Sequence, residues 1–491
     1  MNPIVDKATP GDSQAPRHRP NWRRGLWRMS PVLLLFLGSC VVGPDYRRPE
    51  VETPTDWRWK VAEPSDDVAR GAWWKIFGDP ALDALEAEAM AGNLGLQAAM
   101  FRVEQARANA RISRADFYPT LDAAGVFTRF RSSGNAPSPV PQFEIPSFHQ
   151  SSWSIPLDLS YEIDLWGKVR RAFETSRNLA YGAEAARQSI LLTLQADVAS
   201  AYFSLLSTRA QVALLTKTIE IREEALHLIQ QRAEVGIGNE FEVQRALVEV
   251  ESAKAELAAA RQSQAQWHNA LAILCGKPPS AFNPALADAL PPLPAIAPDL
   301  PSALLERRPD VAEAERQLAA RNAQIGVAKA AFFPVLRLTA SGGLLSGELS
   351  DLFDWESRVW SISPSVSLPV FQGGRNRASL ERAWAAYEEG VALYREQVLV
   401  AFGDVEDSLA ALAFLGEQVR ARTAAAAAAA NAARLSFERY QAGAVNFLEI
   451  VDSEQARLAN EVARVLIENQ QLLATVRLIK ALGGGWEEST E

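Results

Sequence analysis

The hydrophobic pattern of residues 153–168 alternates with a period of two. From Trp153 to Leu165 every second residue is apolar, and serine, proline, aspartate or glutamate stands between. Such a pattern over about 13 residues predicts a β-strand with one apolar face and one polar face. The pattern recurs at residues 360–371, where mainly serines alternate with aliphatic residues. We therefore predict long, two-faced strands.

Most of the remaining chain has the pattern of α-helix. The two longest helical segments would each extend roughly 100 Å at about 1.5 Å per residue. In the first of them, every seventh residue from Leu191 and from Leu194 is mostly apolar, which is typical of a coiled-coil seam. A shorter helix precedes each strand region and ends shortly before a proline, which disfavours helix in the preceding residue. The predicted helices are residues 82–116, 168–235, 303–331 and 375–442.

The chain repeats itself. ADFYP at residues 115–119 recurs as AAFFP at 330–334, and Trp-Ser-Ile at 153–155 recurs at 360–362. The second offset then holds without a gap, so the difference between the two offsets falls in a loop rich in serine and proline. Insertions in a duplicated fold are expected in loops. The residues that match at the second offset are Asp197 and Asp404, Gly236 and Gly443, Asn239 and Asn446, and Glu242 and Glu449.

The repeat divides the chain into two structural halves joined by a proline-rich connector. Each half is predicted to contain, in order, a helix, two strands, a long helix, a turn and a second helix. The two halves together give four strands per chain. We predict a signal peptide at 1–39, an N-terminal arm at 40–81, the first repeat at 82–275 with strands near 118–131 and 153–166, the connector at 276–302, the second repeat at 303–482 with strands near 334–345 and 360–371, and a tail at 483–491.

The N-terminus carries an export signal. Five arginines precede a short apolar run at residues 31–40, which is the arrangement of a secretory signal peptide. The run has about ten residues and is too short to span a bilayer as a helix. Cys40 follows Leu-Gly-Ser and so resembles the lipidated cysteine of a lipobox; the alternative is a buried helix that ends in a chance cysteine. We identify no other segment long and apolar enough for a transmembrane helix.

The predicted strands have the length to cross a membrane. At a tilt of roughly 40–45°, about 13 residues cover the 30 Å of bilayer hydrocarbon. Strands that span lipid must close into a barrel, because an open edge leaves backbone groups unpaired. Four strands cannot close one, since about eight are needed, so the barrel would be shared between subunits. The alternative is an ordinary strand packed on a soluble core.

Composition excludes several classes of function. The net charge is −9, which argues against nucleic acid as a partner. The two cysteines imply no disulfide framework, and the four histidines have no metal-ligand spacing. No nucleotide-binding or hydrolase motif is present, so we expect no enzyme activity and no cofactor. Energy for any transport must then come from a partner.

Four separate segments have the form of known family motifs. They are VGPDYRRP after Cys40, WWKIFGDPALDAL at 73–85, the segment at 304–334, and LPVFQGGRNRASL at 368–380. Together they resemble the TolC-like outer membrane factors, in particular the NodT/OprM-type efflux lipoproteins. The resemblance implies a homotrimer with one 12-stranded β-barrel in the outer membrane and an α-helical barrel in the periplasm. It also implies a periplasmic adaptor protein and a proton-driven inner-membrane pump as partners, and a diacylglycerol and palmitoyl anchor on Cys40.

The resemblance also assigns functional residues. It implies that the helix-to-helix turns with Gly236, Gly238 and Gly443 dock the adaptor, although these glycines could serve only as helix C-caps. It implies a periplasmic gate at Asp452 with Leu448, and the internal repeat aligns Arg245 with Asp452. The alternative is a solvated aspartate. The predicted function is an exit duct for small-molecule efflux; a duct for type I protein secretion and a non-channel periplasmic scaffold remain alternatives.

Overall fold

The structure is a computed structural model, and it describes residues 41–54, 57–58, 71–135, 146–294 and 307–484. The predicted signal peptide and Cys40 lie outside the described residues. The helices are α1 (Pro80–Gly92), α2 (Leu94–Ala115), α3 (Lys168–Glu234), α4 (Glu240–Leu274), α5 (Pro309–Ala330), α6 (Arg375–Gln441) and α7 (Phe447–Ala481). The strands are β1 (Thr120–Ala123), β2 (Val126–Arg131), β3 (His149–Ile163), β4 (Val335–Ser346) and β5 (Arg358–Ser367).

The long helices pack side by side as a curved layer. Next to the sheet the order is α2, α3, α5, α6, and at the far end it is α4, α3, α7, α6. Helices α3 and α6 have 67 residues each, or about 100 Å, and run through both parts. The predicted seam of α3 is buried where it meets these neighbours, with Val198 and Leu205 at 0% and 1% exposure. Burial of this seam holds the layer together.

The first predicted helix is in fact two helices. Helix α1 begins at Pro80 and ends at Gly92, and α2 begins at Leu94. The side chain of Asn93 accepts a hydrogen bond from the backbone N–H of Leu96 and donates one to the carbonyl of Leu274. The prediction of one continuous helix over 82–116 was therefore wrong, because Asn93 caps α2 and ties the break to the end of α4.

The strands form one antiparallel sheet in the order β1, β3, β4, β5. β2 pairs with the other half of β3, in the same register as β1. The strand predicted near 118–131 is interrupted at Ala124 and Gly125, which lie opposite Pro156 and its neighbour on β3. Proline has no N–H to donate, so the ladder loses a bond there. The two short strands therefore occupy a single strand position beside β3.

The ends of the other strands differ from the prediction by a few residues. β3 begins at His149 and stops at Ile163, because the carboxylate of Asp164 accepts a hydrogen bond from the backbone N–H of Arg170 and so closes the turn into α3. β5 begins at Arg358 and ends at Ser367. It does not reach residue 371, since Pro369 lacks the N–H that a further ladder bond needs.

One helix is apolar enough to be mistaken for a membrane span. A window within α3 has a mean hydropathy of 1.4, and 61% of it is buried inside the chain. The prediction that no segment after the signal is long and apolar enough for a transmembrane helix was therefore wrong. Burial explains the high mean hydropathy of this window, because a core helix that packs against neighbours on several sides is apolar on most of its surface.

The N-terminal arm runs from the sheet along one face of the helical layer. The backbone N–H of Val42 donates to the carbonyl of Trp166 at the end of the sheet. Further along, Asp45 pairs with the buried guanidinium of Arg171 at 2.8 Å, and the ring of Trp57 packs edge-on against Phe402 of α6. The arm therefore bridges both halves of the chain.

Helix α1 carries a buried carboxyl group. Glu86 is fully buried, and neither of its carboxyl oxygens has a hydrogen-bond partner among the described residues. Burial, with a smaller contribution from Asp83, raises the pKa of Glu86 to about 9. Burial and the nearby Glu86 raise the pKa of the Cys275 thiol to about 11. Glu86 is therefore held as the neutral acid at neutral pH.

Candidate functional site

The sheet has one apolar face shared by all its strands. Leu159 of β3 lies between Leu121 on β1 and Ala340 on β4, and Ala340 lies opposite Ile362 on β5. At the outer end Trp153 stacks beside Phe127, with ring centroids 4.4 Å apart. An apolar band that ends in aromatic residues is the surface that a barrel presents to lipid.

The opposite face of the sheet is polar and must be in contact with water. Asp122 of β1 lies directly opposite Asp158 of β3, and both residues are exposed. Two carboxylates at adjacent positions repel each other, so this arrangement requires solvation by water. Ser160, Thr339 and Ser363 continue the polar row across the sheet. The faces therefore lie as the alternation of the sequence predicts.

The polar surface continues onto the helices. A concave hollow of about 500 Å³ lies where α2, α3, α5 and α6 meet, and small or polar side chains line most of it. Ser113 and Ser176, whose hydroxyl oxygens are 2.7 Å apart, line it together with Gln324. The arm touches α5 at Asn322, two residues from Gln324 and so on the opposite side of the helix. The hollow therefore lies on the face of the layer opposite the arm.

The two turns at the far end have closely similar structures. Gly236 and Gly443 have φ of 76° and 74° and end α3 and α6. Asn239 and Asn446 are the N-caps of the next helices. Each side chain accepts a hydrogen bond from the backbone N–H of the residue three positions later. Gly238 lies against the backbone of Ala233, so a Cβ there would be crowded. The matching turns are thus built from the repeated sequence.

The predicted gate residues lie just above these turns. Asp452 is exposed, and Leu448 is 40% exposed one turn earlier on the same side of α7. Arg245 of α4 has its Nε atom buried without a hydrogen-bond partner among the described residues. No ion pair within the described chain joins Arg245 to Asp452, so the pairing expected from the repeat does not occur within one subunit.

Another set of polar groups ties the two helical hairpins together. Arg222 of α3 contacts the carboxylate of Glu249 of α4 at 3.3 Å, and both side chains are about nine-tenths buried. Gln455 of α7 donates to the same carboxylate at 2.6 Å. Nearer the tips, Arg232 of α3 donates to the hydroxyl of Tyr440 of α6 at 2.7 Å. We call these two connections the hairpin links.

The hairpin links were not predicted, although the sequence carries one signal for them. Arg222 occupies a position of the apolar seam, between Leu215 and Ile229. A charged residue at such a position is buried and so requires a partner. The identities of Glu249 and Gln455 follow only from the packing of three helices.

The chain matches proteins of known type over nearly its whole length. A family model for the outer membrane efflux protein matches residues 85–277 and 300–484. The chain belongs to the outer membrane efflux protein family. It is 36% identical over 481 residues to the outer membrane protein OprJ of Pseudomonas aeruginosa, across 95% of this chain and 97% of OprJ. It is 34% identical over 468 residues to the toluene efflux pump outer membrane protein TtgC of Pseudomonas putida, across 94% of this chain and 95% of TtgC.

Solved structures show the same fold. The open state of the MtrE outer membrane channel of Neisseria gonorrhoeae matches with a TM-score of 0.81 and 31% identity, over 92% of this chain and 100% of that one. The CmeC outer membrane channel of Campylobacter jejuni matches with a TM-score of 0.86 and 25% identity, over 92% and 96% of the two chains.

These similarities confirm the predicted family and fold class, an α-helical barrel joined to a membrane β-barrel. As a member of the family, the protein is an outer membrane efflux component whose helices extend into the periplasm. The family consists of efflux channels, which agrees with the polar face of the sheet and the polar hollow of the helical layer.

Proposed function

We propose that three copies of this protein form one passive exit duct for small molecules, fed by an inner-membrane pump through a periplasmic adaptor. The observation that carries the proposal is the continuity of one polar inner surface. It runs from the sheet, whose other face is apolar, onto helices of 67 residues. A surface of this kind suits a water-filled path across both the membrane and the periplasm.

The edges of the sheet require a barrel that is shared between chains. β1 and β2 together form one edge of the sheet, and β5 forms the other. Among the described residues the sheet therefore has four strand positions. Unpaired strand edges cost several kcal/mol per backbone group in hydrocarbon, so the edges must pair with other chains. The number three comes from the resemblance to TolC-like outer membrane factors, and three chains give 12 strands, above the roughly eight that a closed barrel needs. The 12-stranded barrel is therefore shared.

The partners and cargo are inferred from relatives. TtgC is named as a toluene efflux pump component, and another relative, ArpC, as part of an antibiotic efflux pump. We propose small organic compounds as cargo and a proton-driven pump as the energy source. The adaptor would contact the turns at Gly236, Gly238 and Gly443, which lie at the end of the helices farthest from the sheet.

We further propose that the hairpin links hold the periplasmic end in the conformation described. Arg222, Glu249 and Gln455 connect the α3–α4 hairpin to α7, so the hairpins cannot separate while these bonds persist. Leu448 and Asp452 lie within the same stretch of α7 and would narrow the duct when three chains meet. Arg245 would then face the neighbouring subunit.

Conductance in a planar lipid bilayer tests both the duct and its gate. We expect the purified protein to conduct ions, and Gln455→Ala or Tyr440→Phe to raise the open probability. Each loses one hydrogen bond per chain, worth about 0.5–1.5 kcal/mol. Asp452→Ala should reduce cation selectivity. Arg439→Ala is the matched control, since Arg439 pairs with Glu449 within one hairpin at the surface.

Two results would contradict these proposals separately. A wild-type protein that inserts into the bilayer but never conducts ions would exclude the duct, and one that does not insert at all would favour the periplasmic scaffold. Equal open probabilities for wild type, the control and both link variants would exclude the hairpin links as a gate.

The lipid anchor on Cys40 is a separate proposal. Residue 41, the first described residue of the arm, lies against Gly167 at the junction of the sheet and α3. We expect labelled palmitate to enter the wild-type protein and to be absent from Cys40→Ser. Cys275→Ser is the control and should keep the label, because Cys275 is buried. Label that persists in Cys40→Ser would exclude the anchor.

A further inference from the structure

A cleft lies between the two hairpins, just above the turns. It has a volume of about 260 Å³, and all four lower helices, α3, α4, α6 and α7, contribute to its walls. This volume is near the lower end of the roughly 300–1,000 Å³ typical of small-molecule sites. The hairpin link of Arg222 and Glu249 forms part of one wall.

The lining is mainly apolar. Leu228, Phe447 and Ile450 are among the side chains that form the walls. Phe437 of α6 also lines the cleft and is 47% exposed, so part of this residue is accessible to a ligand. Removal of a flat apolar molecule from water into this space is favourable, by about 25 cal/mol per Å² of apolar surface.

The charges in the lining are predominantly negative. Three carboxylates, Glu224, Glu249 and Glu454, line the cleft together with one guanidinium, that of Arg222. Arg222 contacts Glu249, and Glu454 contacts Arg457, which is not part of the lining. Glu224 is exposed and takes part in no ion pair among the described residues. The cleft therefore attracts cations and disfavours anions.

We propose that this cleft binds small aromatic monocations. The ring system would occupy the apolar space beside Phe437, where a cation and an aromatic face attract each other. The positive charge would lie near Glu224. Because the walls come from both hairpins, a bound molecule contacts both of them and favours the closeness described here over a separated state. The inference rests on the proposed function only for its effect on the duct.

Direct binding tests the site itself. Ethidium, a planar aromatic monocation, is titrated into the purified protein in lipid nanodiscs and followed by fluorescence anisotropy. We expect saturable binding, a loss of affinity of about three- to fivefold in Glu224→Gln and in Phe437→Ala, and no binding in Ala225→Trp, whose indole would fill the cleft. Glu223→Gln is the matched control, because Glu223 is adjacent but pairs with Lys254 outside the cleft.

Three results would overturn the proposal. Absence of saturable binding would exclude the site. Undiminished binding in Ala225→Trp would place the dye elsewhere. Equal affinity for a neutral phenanthridine, with no effect of Glu224→Gln, would assign the cleft to an uncharged occupant.

Conductance separates this inference from the proposed function. We expect micromolar ethidium on the periplasmic side to lower the open probability of wild type, but not that of Ala225→Trp. A protein that binds the dye in the cleft but never conducts would retain the site and refute the duct. A protein that conducts normally but binds no dye would refute the site and retain the duct.

Discussion

Leu159→Arg should destabilise the inserted barrel by about 2–4 kcal/mol per chain. Leu159 lies on the apolar face of β3, between Leu121 and Ala340, and Ala340 is near the middle of β4. An arginine at this depth places a charged group in hydrocarbon, which costs about that much near the middle of a bilayer. The measurement is a denaturant titration of folding into lipid vesicles, with the fraction of trimer determined by native mass measurement.

The adjacent residue provides the control. Ser160 lies on the polar face, opposite Thr120 and Thr339. Arginine at position 160 should remain in water, and its effect on the midpoint should be small. Equal losses for the two variants would show that the lipid-facing and water-facing sides of the sheet are assigned wrongly, and a stable monomer would exclude the shared barrel.

Glu86→Gln should make stability less sensitive to pH. Glu86 has its pKa raised to about 9 by burial, whereas its ordinary value is 4.5. Below pH 4.5 both folded and unfolded chains carry the proton. Between pH 4.5 and 9 the unfolded chain releases it and the folded chain keeps it, so stability falls by about 1.4 kcal/mol per pH unit. At pH 7 the cost is about 3 kcal/mol, and the glutamine variant lacks it.

Melting temperatures at pH 5, 7 and 8.5 provide the measurement, with hydrogen exchange of residues 80–92 as the local readout. The advantage of Glu86→Gln over wild type should grow with pH. Glu88→Gln is the control on the same helix, since Glu88 pairs with Lys277 at the surface. If the difference between Glu86→Gln and wild type is the same at all three pH values, Glu86 is not the neutral acid described.

The parts of the fold that the sequence predicts are those with a long, regular pattern. The alternation of β3 and the seam of α3 each extend over many residues, so a few exceptions do not hide the period. The breaks were not predictable in the same way. Asn93 interrupts a helical pattern through a bond to Leu274, and the gap between β1 and β2 arises from Pro156 on another strand. In both cases the cause is far away in sequence.

The candidate site shows the same division. The turns at Gly236 and Gly443 are local, and their glycines and following asparagines define them. The repeat aligned Arg245 with Asp452, but equivalent positions in a duplicated fold are related by symmetry and need not touch. The true neighbours of the tip helices, such as Gln455 and Glu249, are more than 200 residues apart.

The arm gives this duplicated molecule a direction around its axis. Both halves offer a helix pair of similar sequence, yet the chain has one arm, and it occupies the groove between α3 and α5. Gly43 packs there so closely that a Cβ would lie 2.6 Å from the Cα of Gly326. In a ring of three chains, six grooves would be nearly equivalent, and only three would be filled. The arm thus reduces a six-fold pseudosymmetry to three-fold, and it distinguishes grooves within a subunit from grooves between subunits.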